Sequence, residues 1–290
     1  MSTVAVTGLG RAEPDEFDVA ARLPGRGYRR LPPACQYLLA ATADALGDAG
    51  DPLAAVPAER RGAVVGTNNA GAALLDGQDR TILAGTADDL SPLTAPYFAM
   101  SLFVSRLSTE RGIRGCNLTV NSPRTAGIEA LQLGGWVLRR GRAEVLVAGA
   151  TEDAVPDHPD SDRGAVVLIC TAPEGAAGAY GTCRVRTAFV VPGSAPADTV
   201  GAAWTAVAGD LTEPTVDAVL DDSPVGAVVG AWLAARAPTV AVTRAGPGCL
   251  APLRRVADLL AAGGPDRVVV TAAAEGNIAF ARLTPTRRPS

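Results

Sequence analysis

The chain has 290 residues, a formal net charge of −4 and 48% hydrophobic residues, enough length for one large α/β domain or two fused halves that bury about three quarters of the unfolded surface. Every one of its 26 basic residues is arginine, which excludes Schiff-base chemistry and a lysine phosphate grip, and their scatter gives no electrostatic footprint for nucleic acid. No apolar run reaches membrane length, the N-terminus enters a strand pattern instead of a signal peptide, and the five cysteines show no C-x-x-C spacing, so the expected setting is cytoplasmic with reduced thiols.

In chain order, Val4-Ala-Val-Thr-Gly8 reads as a buried strand and Arg22 to Pro33 as an Arg/Pro/Gly loop. Cys35 to Leu46 has helical spacing and ends near Gly47; Arg61 to Gly66 is a second strand, and Thr67 to Gly77 a small-residue segment. Ser91-Pro92 and Pro96 punctuate a loop, after which Tyr97 to Leu107 is predicted as one apolar helix carrying Phe98, Met100 and Phe103. Cys116-Asn-Leu-Thr-Val-Asn121 alternates Leu118 and Val120 with polar neighbours, a strand that runs into Ser122-Pro-Arg-Thr-Ala-Gly127. There Ser122 is expected to cap a helix starting at Pro123, with Ile128, Leu131, Gly135 and Leu138 on one face and Arg139-Arg140-Gly141 closing it. Val145 to Ala148 and Gly164 to Cys170 are further buried strands, separated by an acidic loop that holds the single histidine, His158, read as a solvated side chain. Gly8, Gly10 and Gly66 lie in no complete phosphate-loop motif and read as strand-end turns.

The second half repeats the first. Offsetting the chain by 123 residues pairs Gly141 with Gly264, Val145 with Val268, Val147 with Val270 and Glu152 with Glu275, with a helix before each strand. Strands at Val185 to Val191, Val216 to Leu220 and Thr239 to Val242 complete the second half. The expected division is 1–170 and 171–290, each half with a mostly parallel sheet and helices sandwiched between.

At the strand-to-helix elbow the sequence resembles the β-ketoacyl synthase family of the thiolase superfamily, whose elbow reads T-A-C-[ST]-[SA]-G before a helix and a V-A-G-[GA] strand. The same frame here is Ser122-Pro-Arg-Thr-Ala-Gly127, then a helix, then Glu144-Val-Leu-Val-Ala-Gly-Ala-Thr-Glu152. The likeness extends upstream through Arg111-Gly-Ile-Arg-Gly115 and Leu90-Ser-Pro-Leu-Thr-Ala-Pro96 to Val4-Ala-Val-Thr-Gly-Leu-Gly10. The resemblance implies a thiolase-like α/β fold, two duplicated βα halves in a layered αβαβα sandwich.

It also implies that the catalytic machinery has been lost. The family's nucleophilic cysteine falls on Arg124; its first histidine region falls on Asp221, Asp222 and Ser223, and its second on Gly248 and Cys249. A cation at a helix N-terminus opposes the helix dipole, so Arg124 is expected to have an anionic partner: a carboxylate of this chain such as Glu129, one from a second subunit, or a bound anion. The pattern resembles the chain-length factors of type II polyketide synthases, in a form shorter than usual. That likeness implies no cofactor and no metal, a catalytic ketosynthase as heterodimer partner, contact with acyl carrier protein through the complex, and a place in antibiotic-type biosynthesis. It further implies an interface along Cys116, Asn117, Leu118, Thr119, Val120 and Asn121, and an acyl tunnel lined by Thr94, Phe98 and Met100. The alternative is an active thiolase-fold acyltransferase, hydrolase or decarboxylase with Cys249, Ser223 or an aspartate as its reactive group. Cys116 reads as a small core or interface residue.

Overall fold

A computed structural model describes residues 2–25, 27–174, 178–191 and 197–286. Its strands are β1 (Ser2–Ala12), β2 (Arg61–Thr67), β3 (Asn117–Asn121), β4 (Val145–Glu152), β5 (Gly164–Thr171), β6 (Gly181–Phe189), β7 (Thr215–Leu220), β8 (Thr239–Arg244), β9 (Arg267–Ala272) and β10 (Asn277–Pro285). Its helices are α1 (Val19–Arg22), α2 (Pro33–Asp48), α3 (Ala72–Ala84), α4 (Ser101–Arg111), α5 (Ala126–Arg139), α6 (Ala197–Ala208), α7 (Pro224–Ala234) and α8 (Leu250–Ala262).

The ten strands form one hydrogen-bonded sheet in the order β3-β2-β4-β5-β1-β6-β10-β9-β7-β8. Read outward from the β1–β6 seam, the two sides have the same plan, with β5, β4, β2 and β3 matched by β10, β9, β7 and β8. The sheet is mixed and not mostly parallel: β2–β3, β2–β4, β7–β8 and β7–β9 are parallel, whereas β1–β5, β1–β6, β4–β5, β6–β10 and β9–β10 are antiparallel. The cause is the connection. β9 reaches β10 through a short turn at Ala273–Gly276 and β4 reaches β5 through a loop without a helix, and such links favour antiparallel neighbours.

Period-two alternation sorts the strand side chains into layers. Ala63, Val65, Val145, Val147, Val167 and Ile169 pack with α2 and α4, while Val64, Leu146, Ala148, Val166 and Leu168 face the other way. These inward residues share one cluster with α5 and α8 and with Cys183, Val185, Val269 and Ala281 of the second half. Beyond that half, Val216, Ala218, Val268, Val270 and Phe280 pack with α6 and α7. The result is the five-layer αβαβα arrangement, with α5 and α8 at its centre.

Gly8 and Gly10 are not strand-end turns. They sit inside β1, where a Cβ at Gly10 would come within 2.0 Å of the Ala41 carbonyl oxygen of α2, so their role is close packing. Two helix expectations also change. α3 forms where a small-residue segment was expected, and none of its residues is buried. The helix predicted from Tyr97 begins only at Ser101, because Ala95–Phe98 makes a separate 3-10 turn; Phe98 and Met100 therefore precede the helix and do not share its face.

Candidate functional site

Three loops meet at the N-terminal ends of α5 and α8. The first is the elbow after β3. β2 and β3 run parallel, and α5 returns over β2 so closely that a Cβ at Gly66 would lie 2.5 Å from the Ala126 carbonyl group. Only glycine allows this approach. Arg124 takes a left-handed backbone at φ 55°, a conformation that L-residues adopt at a cost of about 1 kcal/mol or more. That residue interrupts the helical run, so α5 starts at Ala126 and Ser122 does not cap it. The Ser122 hydroxyl instead donates to Glu129 Oε2 at 3.0 Å, and Thr125 Oγ1 donates to Glu129 Oε1 at 2.5 Å.

Glu129 is thus taken by hydroxyls, and the counter-charge of Arg124 comes from the second loop, after β7. Arg124 Nη2 lies 3.4 Å from Asp221 Oδ2, and Nη1 donates to the Gly246 carbonyl at 3.1 Å. Asp221 is held in turn: its Oδ1 accepts from the Ser223 amide at 3.1 Å, and its carbonyl accepts from Arg244 Nη1 at 2.6 Å. Ser223 Oγ accepts from Gly226 N at 3.0 Å, capping α7.

The third loop, Ala245 to Cys249, leads into α8. Cys249 is fully buried, and its thiol is pushed well above the usual range, first by burial and then by Glu152 beside it. Glu152, at the end of β4, is also completely buried. Its carboxylate accepts from the amides of Asn68 at 2.8 Å, Asn69 at 2.7 Å and Cys249 at 3.1 Å. Burial still outweighs those donors and raises its pKa to about 7. Asp162 completes the end of α8, its Oδ2 accepting from Leu250 N at 2.9 Å and Ala251 N at 3.1 Å while Oδ1 lies 3.3 Å from Arg254.

Between the loops lies a cavity of about 350 Å³, lined among others by Arg124, Asp221, Asp222, Arg244, Gly248 and Glu275. The structure therefore brings together the elbow and both regions expected opposite it. Sequence reasoning missed Glu152 as a site residue; the available signal was an acid ending an otherwise apolar strand, Val145 to Thr151, and matched by Glu275 in the repeat. A guanidinium offers hydrogen-bond donors and no nucleophile. What it can do chemically is hold an anion or a carbonyl oxygen.

The remaining expected residues lie elsewhere. Thr94 and Met100 are half-buried and Phe98 is 65% exposed; none of the three lines this cavity. β3 is an edge strand: Asn117, Leu118 and Asn121 are exposed, Cys116 and Thr119 are partly buried, and Val120 packs inward. His158 sits exposed in its loop, bridged by backbone to Val155. Among the described residues no group of three His, Cys, Asp or Glu side chains is placed to hold a metal ion.

Comparison with known proteins places this geometry. A family profile described as "Beta-ketoacyl synthase, N-terminal domain" matches residues 2–161. The 3-oxoacyl-[acyl-carrier-protein] synthase 2 of Vibrio harveyi is 27% identical over 139 residues, 48% of this chain and 34% of that protein. A putative polyketide beta-ketoacyl synthase 1 of Streptomyces virginiae is 30% identical over 154 residues, 51% of this chain and 36% of that protein. The matched stretch thus spans about a third of the length of these relatives. Among solved structures, a chain of the AntDE:AntF complex, a type II PKS acyl-carrier protein with its ketosynthase bound to the hexaketide, superposes with a TM-score of 0.78 at 14% identity, over 98% of this chain and 99% of that one. A chain of the ishigamide ketosynthase/chain length factor gives 0.76 at 17% identity, over 99% of this chain and 100% of that one. At these identities the likeness establishes the fold.

Proposed function

The chain belongs to the β-ketoacyl synthase family, and from that premise we propose that it is a non-catalytic, chain-length-factor-like subunit that pairs with an active ketosynthase in type II polyketide or fatty-acyl chain biosynthesis. The observation that supports this reading is the ion pair of Arg124 with Asp221, which on the motif correspondence would occupy the positions of the family's nucleophile and first histidine region. The competing reading, a reactive Cys249 or Ser223, has less support: the Cys249 thiol is sealed from solvent and held protonated, and Ser223 Oγ is engaged as the cap of α7. The partner would add to the β3 edge, whose Asn117 and Leu118 are exposed and whose backbone has pairing capacity on one side. Acyl carrier protein would meet the complex and not this chain alone. Thr94, Phe98 and Met100, ahead of α4, would contribute to the tunnel wall, and the two halves would divide at 170/171. A cytoplasmic setting accords with the described residues, among which no helix is long and apolar enough to cross a membrane.

The test is reconstitution with a ketosynthase encoded beside it. The chain alone should give no turnover of malonyl-carrier protein, the pair should sediment as a heterodimer and make product, and Thr94→Phe should shorten that product without disturbing assembly. Turnover by the isolated chain that is lost in Cys249→Ala would establish the competing reading, and an unchanged product distribution with Thr94→Phe in an active complex would remove the tunnel assignment.

A further inference from the structure

The cavity at Arg124 has an unusual distribution of charge. At its inner end Arg124 is only 6% exposed, and of the five N–H donors of a guanidinium few are used. Nη1 reaches the Gly246 carbonyl; Nη2 faces Asp221 at 3.4 Å, longer than a charge-assisted bond of about 2.7–2.9 Å; Nε is buried with no acceptor among the described residues. A buried cationic donor left without an acceptor is costly, and α5 begins two residues later with a dipole that favours an anion at this point. The outer end is acidic. Asp222 is 90% exposed on its side chain and Glu275 is exposed with no ion pair among the described residues, whereas Asp221 lies further in beside Arg124. Arg244, the other cation on the wall, is occupied by the Asp221 carbonyl and by Asp222 at 3.3 Å.

A simple anion would meet carboxylates on its way to Arg124, and a simple cation would leave the guanidinium unsatisfied. A molecule carrying both charges fits both ends. We propose that this cavity binds a small zwitterion of the amino-acid type, its carboxylate on the Arg124 guanidinium and its ammonium on Glu275, the one carboxylate of the described wall with no ion pair. The volume of about 350 Å³ is at the small end of ligand pockets and suits such a molecule. The site is complete within one chain, so it stands whether or not the protein pairs with a ketosynthase.

The full chain, titrated by calorimetry at fixed ionic strength, separates the cases. The probes are glycine, β-alanine and γ-aminobutyrate, which vary the spacing of the charges, with sodium acetate and n-propylamine as single-charge controls. At least one zwitterion should bind one site per chain at least tenfold more tightly than either control. Arg124→Met should abolish that binding. Glu275→Gln alters an exposed side chain and should fold normally; it should weaken the zwitterion threefold to tenfold while leaving acetate unchanged or slightly improved. Zwitterions that bind no better than acetate, or an affinity indifferent to Glu275→Gln, would overturn the assignment.

Discussion

The helices α5 and α8 are counterparts at the centre of the molecule, yet their N-termini are completed in opposite ways. α8 begins under two carboxylates of the first half, Glu152 and Asp162, which take up the amides of Cys249, Leu250 and Ala251. That arrangement follows the helix dipole. α5 is entered through a cation in a left-handed conformation, whose counter-charge is borrowed from the second half across the Arg124–Asp221 contact. Each half thus supplies acids to the helix end of the other, but only at α5 does a base stand between. The first end is an elbow with an ion pair at its turn; the second is a sealed cap. The two helices meet through Gly127, whose missing side chain lets α5 approach Cys249 and Leu253.

The largest expected effect tests the sealed end. Glu152 titrates near 7 in the folded protein against an ordinary 4.5, so the native state keeps a proton that the unfolded state releases. Its contribution is present below about pH 4.5 and is lost as pH rises through 7. Denaturation of the wild type minus that of Glu152→Gln should therefore fall by about 3 kcal/mol between those limits. Taking the difference cancels the contributions of Asp44 and Asp153, which burial also pushes up. A flat difference curve would mean that Glu152 stays ionised in the fold.

Next comes the borrowed charge. Asp221→Asn leaves Arg124 buried without an anion and should cost about 2 kcal/mol in chemical denaturation, less than a fully enclosed pair because Asp221 is partly exposed. Adding Arg124→Met to that variant should recover most of the loss. If the double variant is no better than the single one, the pair is not what stabilises the elbow.

The smallest effect belongs to the α8 cap. Asp162→Asn keeps an oxygen for Leu250 N and Ala251 N but gives up the charge facing Arg254, and about 1 kcal/mol should be lost. A loss well above that, approaching the effect of Asp221→Asn, would erase the distinction between the two ends.

The layers were legible because alternation is local: Val64 against Ala63 and Val65 already assigns the two faces of β2. The direction of the strands was not, since it depends on whether a connection carries a helix, and the turn at Ala273–Gly276 was too short to notice as a rule-breaker within a repeat. α3 escaped because none of its residues is fully buried, so no apolar period marks it. At the site, the need of Arg124 for an anion could be argued from the helix dipole, but choosing Asp221 over Glu129 could not. Glu129 is near in sequence and already held by Ser122 and Thr125, whereas Asp221 arrives only through the topology.

The β1–β6 seam sets the order in which this chain can acquire its structure. Ser2–Ala12 is made before every other described strand, yet its sheet neighbours are Gly164–Thr171 and Gly181–Phe189. Until those appear, β1 has both edges unpaired, and neither flank of the sheet can join the other. High sequence separation slows folding and prolongs the exposure of such edges, so the slow step should be the closure of this seam, after the parallel flanks have formed. Synthesis interrupted before Gly164 would leave Val4 and Val6 without the strands beside them, and nascent chains of that length should be the ones that chaperones hold longest.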